Sequence, residues 1–108
     1  MTNIALVLTT IGEETDAKML AERLVQERLA ACVTISAPMT SVYRWKGVIE
    51  TSAERQVAIK TTVERLDALQ KRLRELHPYD LPEFLVLPIA QGSERYLSWI
   101  AAETTPQV

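Results

Sequence analysis

Residues 32–60 alternate apolar and polar side chains on both sides of a Lys46-Gly47 pair, and no other stretch limits the fold as much. On the first side the odd positions carry Val33, Ile35, Ala37, Met39, Tyr43 and Trp45, while even positions are mostly Thr, Ser or Arg. On the second side Ile49, Thr51, Ala53, Val57 and Ile59 hold the odd positions. A period of two is that of a strand with one buried face. The pattern predicts a hairpin whose strands are roughly 13 residues each, about twice the usual ~5–6. Its register is testable. A two-residue loop opposes Trp45 to Val48 and sets the apolar odd face of one strand beside the polar even face of the other. A three-residue loop opposes Trp45 to Ile49, Ala37 to Val57 and Ile35 to Ile59, and one face becomes apolar throughout. The expectation is three residues, or a two-residue turn with a bulge that absorbs the slip. Pro38 lacks a backbone donor and points to a sheet edge or a bulge.

The remaining segments place this hairpin. Ile4-Ala5-Leu6-Val7-Leu8 reads as a strand buried on both faces, and residues 9–14 as a polar turn around Gly12. Ala17, Leu20, Leu24 and Val25 line one side of a helix with Thr15 or Asp16 as N-cap, ending near residues 29–31. Thr61 and Glu64 have the spacing of a capping box before a second helix marked by Leu66, Leu69, Leu73 and Leu76. Residues 84–89 form a further strand. Ser93 caps a short helix carrying Tyr96, Leu97 and Ile100, and residues 104–108 read as a loose tail. The order β-α-β-β-α-β plus a C-terminal helix is an α+β, ferredoxin-like arrangement: an antiparallel sheet with both main helices on one face. With 108 residues the chain is one domain, 1–108.

Two ordinary helices cannot cover so long a hairpin, and Tyr43 and Trp45 sit at its tip. A long apolar edge is an aggregation hazard unless something pairs with it, and a second copy of the chain is the economical cover.

Composition excludes several classes. A net charge of −2 carries no basic stripe for nucleic acid. Lys71-Arg72-Leu73-Arg74 is balanced by Asp67 and Glu75 and reads as a solvated helix face. No apolar run approaches the ~18 residues of a membrane span. Residues 1–8 lack the charged start and long apolar core of a signal peptide. The single cysteine has no internal partner for a disulfide, so a reducing, cytoplasmic setting is expected.

The chemically richest run is His77-Pro78-Tyr79-Asp80-Leu81-Pro82-Glu83, with the only histidine and two of the five prolines. Pro78 stops the second helix, and this places His77 in its last turn, where a cation is favoured and carbonyls lack partners. Pro82 sets up an extended entry into the next strand.

Taken together, Ala31-Cys32-Val33, the run Ser41-Val42-Tyr43-Arg44-Trp45-Lys46-Gly47 with Ile49-Glu50, Ile59-Lys60-Thr61, His77-Pro78-Tyr79, Pro82-Glu83, and Tyr96-Leu97 with Trp99-Ile100 resemble the CutA proteins, the divalent-cation tolerance family. The likeness covers nearly the whole chain. It implies a ferredoxin-like subunit in a tight homotrimer, closed by long hairpins that reach into neighbours, with an architecture like that of the PII signalling proteins. Thr34, Met39 and Arg44 depart from the family pattern: Met39 alters the bend near Pro38, and Arg44 makes the tip less aromatic.

Copper binding is attributed to family members. Copper favours imidazole and thiolate, so His77 and Cys32 come first as ligands, with carboxylate from Asp80 or Glu83. The plain reading of His77 is a helix C-cap bonded to a carbonyl, and that of Cys32 a small buried hydrophobe. No closed Cys/His spacing indicates structural zinc. No cofactor is required by any motif; copper(II) or another divalent cation is the ligand that the resemblance implies. The alternative is a PII-like regulatory trimer holding a small ligand in an inter-subunit cleft, for which Tyr43, Trp45, Lys46, Glu50, Lys60, Tyr79 and Trp99 are candidates. Aromatics at a hairpin tip are more often interface anchors. A structural platform is a further reading. An enzyme is the least supported, since no triad, phosphate loop or cofactor fingerprint accompanies His77, Lys46, Lys60 or the acids. Resistance to heat is expected of an obligate trimer.

Overall fold

A computed structural model describes residues 2–106. Five strands and three helices follow in the order β1 (Ile4–Gly12), α1 (Ala17–Gln26), β2 (Cys32–Ile35), β3 (Met39–Trp45), β4 (Val48–Thr62), α2 (Leu66–Leu76), β5 (Leu85–Pro88) and α3 (Glu94–Glu103). One antiparallel sheet runs β2-β4-β1-β5, and β3 continues the line of β2 along the outer half of β4. This is the expected ferredoxin-like plan, with the Pro38-containing segment at a sheet edge.

Burial follows the period-two pattern. Val7, Ile11, Val57 and Ile59 face Leu20 and Leu24 of α1 and Leu69 and Leu73 of α2 in one buried cluster. Each such side chain contributes about 1.5–3 kcal/mol relative to its exposed state. Thus α1 and α2 share one face of the sheet. The even positions of β4 lie on the other face, where Lys60 meets Tyr96 of α3. Ile100 of α3 is buried with Ile4 and Ala31 in a second, smaller cluster. Among the described residues no helix is long and apolar enough to cross a membrane.

Several expected boundaries shift, each for a local reason. β1 runs on through Thr9, Thr10 and Ile11 to Gly12, because β4 is long enough to pair with them all, ending at Gly12 opposite Glu54. Asp16 is the N-cap of α1, accepting from the Met19 amide at 3.0 Å. That helix ends at Gln26, earlier than residues 29–31, and Arg28 takes a left-handed φ of 58° just beyond it. Val25 faces solvent, and Ala21 takes the core position expected of it. The Thr61–Glu64 capping box does not form. Thr61 is still in β4 and donates to the Leu29 carbonyl, while Glu64 accepts from Asn3. A single 3-10 turn, Val63–Arg65, opens α2 without a side-chain cap. The last strand is four residues, Leu85–Pro88. Ser93 caps α3 as expected. Thr104, expected in a loose tail, is 2% exposed and donates to the Ile100 carbonyl at 2.9 Å; residues 107 and 108 of that tail lie outside the described part.

The hairpin settles its own register. Trp45 opposes Val48 across a two-residue turn, so the three-residue loop is not used. Lys46 and Gly47 both have positive φ, 49° and 81°, as a two-residue turn matching the strand twist requires. Pairing then runs as Tyr43 with Glu50, Ser41 with Ser52 and Met39 with Glu54. Nearer the core it runs as Ile35 with Val57 and Val33 with Ile59. The one-residue slip between these registers is taken up at Ala37 and Pro38, which together oppose Arg55. Ser36 holds the slip in place. Its amide donates to Gln56 O, its hydroxyl accepts from Gln56 N at 2.8 Å, and its carbonyl accepts from Arg55 Nη1 at 3.0 Å. A bulge is where proline's missing donor does least harm.

Candidate functional site: an acidic groove beside the hairpin tip

The slip has a chemical consequence. Below it, odd residues of β2 lie beside odd residues of β4 and make apolar core. Above it, odd residues of β3 share a face with even residues of β4, so Tyr43 and Trp45 stand beside Glu50, Ser52 and Glu54. That mixed face forms one wall of a groove of about 650 Å³. The opposite wall is the segment after α2, contributing Tyr79, Asp80, Leu81, Pro82 and Glu83, and Thr10 of β1 also lines it.

Four hydrogen bonds fix these walls. Tyr43 Oη and Ser52 Oγ lie 2.7 Å apart, which lays the Tyr43 ring along the sheet between Glu50 and Glu54. Tyr79 Oη donates to Glu54 Oε2 at 2.7 Å, tying the segment to β4. The His77 ring anchors the segment from below. Its Nδ1 accepts from the Tyr79 amide at 3.1 Å, so its Nε2 carries the proton and donates to the Thr10 carbonyl at 2.7 Å. The ring is 6% exposed and lies 4.8 Å from that of Tyr79. His77 itself is the extended residue that closes α2, its amide bonded to Leu73 O, one position beyond the expected last turn.

The electrostatics are one-sided. Glu50, Glu54, Asp80 and Glu83 line the groove, and among the described residues no Lys, Arg or His does. Burial, and then the charge of Glu54, push the Glu83 carboxyl above its ordinary range. Burial, and then the hydrogen bond to Glu54, push the Tyr79 hydroxyl upward as well, so it stays a donor. Glu54 is 7% exposed, and its second oxygen has no donor among the described residues. A buried carboxylate with one neutral partner is poorly compensated.

The family is decided by the profile of the CutA1 divalent ion tolerance protein, which matches residues 5–103. The chain belongs to the CutA1 family. The divalent-cation tolerance protein CutA of Thermus thermophilus is 44% identical over 98 residues, covering 91% of this chain and 95% of its own length. A solved structure described as divalent cation tolerance protein (Cut A1) from the same organism superposes with a TM-score of 0.91 at 42% identity, over 94% of this chain and 99% of that one. The PII-like protein CutA from Nostoc sp. PCC 7120, in apo form, superposes with a TM-score of 0.88 at 32% identity, over 95% and 99%. A CutA from Archaeoglobus fulgidus described as periplasmic does so at 0.89 and 29% identity, over 94% and 99%.

Against this CutA1 fold the residues singled out from sequence fall into three places. Tyr43, Trp45, Glu50, Tyr79, Asp80 and Glu83 meet in the groove. Lys46 is in the hairpin turn, its Nζ 5.9 Å from the centre of the Trp45 ring. Cys32, Lys60 and Trp99 gather elsewhere. Cys32 opposes Lys60, whose Nζ donates to Tyr96 Oη at 3.0 Å, and Tyr96 stacks on Trp99 at 5.5 Å. That Tyr96 bond raises the Lys60 ammonium pKa. His77 bonds at Thr10, which pairs with Gln56, while Cys32 pairs with Lys60, four residues along the same strand. About 13 Å therefore separates their levels in the sheet. Among the described residues no three His, Cys, Asp or Glu side chains converge as a metal cluster. Sequence reasoning missed Glu54, because its strand was assigned to faces by the apolar odd positions alone.

Proposed function

We propose that this CutA1 chain works as a homotrimer that takes up cationic ligands, divalent ions among them, in the acidic groove, and that this uptake is its part in divalent-cation tolerance. The observation that carries the reading is the groove lining, four carboxylates with no basic side chain among the described residues. Divalent ions are bound there by oxygen donors and retained water, the mode suited to hard cations. Copper at imidazole would need the His77 ring to give up one of its two hydrogen bonds. The protein is read as a binder rather than a catalyst, and unpaired Cys32 fits a reducing, cytoplasmic setting.

Three-fold assembly is supported by what one subunit leaves uncovered. β5 is an edge strand with Leu85 and Leu87 in the open. At the hairpin tip Ile49, outside the groove lining, is 66% exposed, and Val42 at the groove's margin is 67% exposed. Pairing such edges between copies removes the hazard they present alone, and three-fold symmetry closes the set. The groove then lies at the junction of subunits, where PII-like regulation by a small ligand would also act.

Titration calorimetry with Mg(II), Zn(II) and Cu(II) tests the reading. We expect weak binding that falls when Glu54 and Glu83 are both changed to Gln. Heats identical in parent and double variant would overturn it.

A further inference from the structure

The spacing of the charges in the groove selects a shape as well as a sign. Glu50 and Glu54 share one face of β4 four residues apart, which puts their backbones about 13 Å from each other. Between them, among the described residues, that wall carries no further charge: the Ser41 and Ser52 side chains and the Tyr43 ring bonded to Ser52 lie there, with the Trp45 ring at the outer end. The facing wall repeats the arrangement, since Asp80 and Glu83 bracket the apolar Leu81 and Pro82. Charge, uncharged gap, charge is the pattern on both sides, the gap being apolar on the facing segment and hydroxyl-bearing on the hairpin.

A single metal ion coordinated directly by side chains does not satisfy such a pattern, though one held through retained water binds weakly. Direct coordination needs several donors at about 2.0–2.6 Å from one point, and among the described residues no three acidic, His or Cys side chains converge in that way. A simple acidic cluster would also leave the aromatics unexplained. Two features point instead to a long ligand. Glu54 is nine-tenths buried in the groove lining, and Tyr79 is the one hydrogen-bond donor its carboxylate has among the described residues. The Tyr43 ring lines the groove, and an aromatic ring attracts ammonium groups and covers methylenes equally well; the Trp45 ring beside it already meets the Lys46 ammonium at 5.9 Å. The volume, about 650 Å³, is that of a small-molecule site.

We propose that the groove is a site for a linear aliphatic polyamine, with one protonated nitrogen at Glu54, another at Glu50, and the methylene chain lying against Tyr43. The acids of the facing segment complete the charge balance. The proposal rests on the cation-binding reading above and narrows it. It predicts that charge number and length both matter, so a short monoamine and a bare divalent ion are poor substitutes.

The test is titration calorimetry of the full chain, in its native assembly, with spermine, spermidine, n-butylamine and Mg(II) at one ionic strength. Spermine is expected to bind best and butylamine to bind at least tenfold more weakly. Glu54→Gln and Glu50→Gln are each expected to weaken spermine by about tenfold, the loss of one charge-assisted hydrogen bond. Glu22→Gln, on α1 away from the groove, is the control for nonspecific attraction and should leave spermine binding unchanged. Glu50→Gln alters an exposed tip residue, so a failure of Glu54→Gln to fold still leaves one clean variant. Equal binding of butylamine, Mg(II) and spermine, lost in the groove variants, would overturn the polyamine assignment and keep the cation reading. Spermine binding that ignores both groove variants, or that falls as much in Glu22→Gln, would overturn the assignment as nonspecific. Absence of binding by every cation would overturn both.

Discussion

The inner and outer halves of one hairpin, built from the same alternating sequence, end in different chemistry. In the inner half Ile35 opposes Val57 and Val33 opposes Ile59, and both β4 partners are fully buried against α1 and α2. In the outer half Tyr43 opposes Glu50 and Met39 opposes Glu54, and the shared face lines a groove. The two halves differ by one residue of register, absorbed at Ala37 and Pro38. Because the side-chain period is two, that single slip exchanges the face of every β3 residue relative to β4. A bulge in this position therefore separates the part of the hairpin that makes the fold from the part that offers a site.

The sharpest way to break this comparison is to truncate one side chain in each half. Ile59→Ala in the inner half removes buried volume and should cost about 2–5 kcal/mol. Glu50→Ala in the outer half touches no core and should stay within about 0.5 kcal/mol. Urea unfolding at fixed protomer concentration measures both. Comparable losses would mean that the outer half is part of the folding core after all.

The next contrast is between the two faces of the outer half. Ile49→Asp places a charge on the face proposed to meet a neighbouring subunit, and should weaken assembly by about 2 kcal/mol or more if Ile49 is a central contact. Glu50→Gln, on the groove face, should leave assembly intact. Sedimentation at micromolar concentration separates the outcomes, and in the parent the unfolding midpoint should rise with protomer concentration. A parent that sediments as a monomer throughout would remove the trimer.

His77 belongs to the groove wall yet behaves like the inner half, since its contacts are structural. His77→Ala leaves the Thr10 carbonyl and the Tyr79 amide without their partner, at about 1–3 kcal/mol. Chemical denaturation measures this, and Cu(II) titration of the same variant should match the parent. Loss of stoichiometric copper with an intact assembly would restore the imidazole as a ligand.

These contrasts also mark what was legible in the residues themselves. The alternation across Lys46-Gly47 carried the hairpin, Pro38 carried the edge, and helix periodicity placed Leu20, Leu24, Leu69 and Leu73 in the core. Most of the groove was legible too, because residues 77–83 and the tip aromatics are chemically distinctive. Glu54 was hidden by a reasonable preference. Apolar-with-apolar pairing is right for a half-buried sheet, and it holds as far as Ile35. Beyond the bulge there is no core to bury, so turn geometry at Lys46 and Gly47 decides the register instead. The separation of Cys32 from His77 within the chain was hidden for a similar reason. Cys32 and His77 are placed by strand register and helix end separately, and neither local signal reports the distance between them.

The smallest expected effect is the pH dependence contributed by Glu83, and it sharpens the comparison from the ligand's side. Its folded pKa lies above the ordinary 4.5, first through burial and then through the charge of Glu54. Ionising it therefore costs more in the folded chain than in the unfolded one. The stability this gives is fully present below about 4.5 and is lost as pH rises through the raised value. Glu83→Gln cannot ionise, so it should match the parent at low pH and exceed it slightly above that window. Glu54 and Asp80 face the same space, while Tyr79 stays protonated throughout, so the difference between variants isolates Glu83. A cation in the groove reverses the sign. It favours the ionised carboxylate, so binding should release protons just above pH 4.5, and calorimetry in buffers of different ionisation enthalpy reads that release. Proton release that persists unchanged in Glu83→Gln would assign the titration to another acid. No inner-half substitution should alter it, because below the bulge no carboxylate faces the ligand.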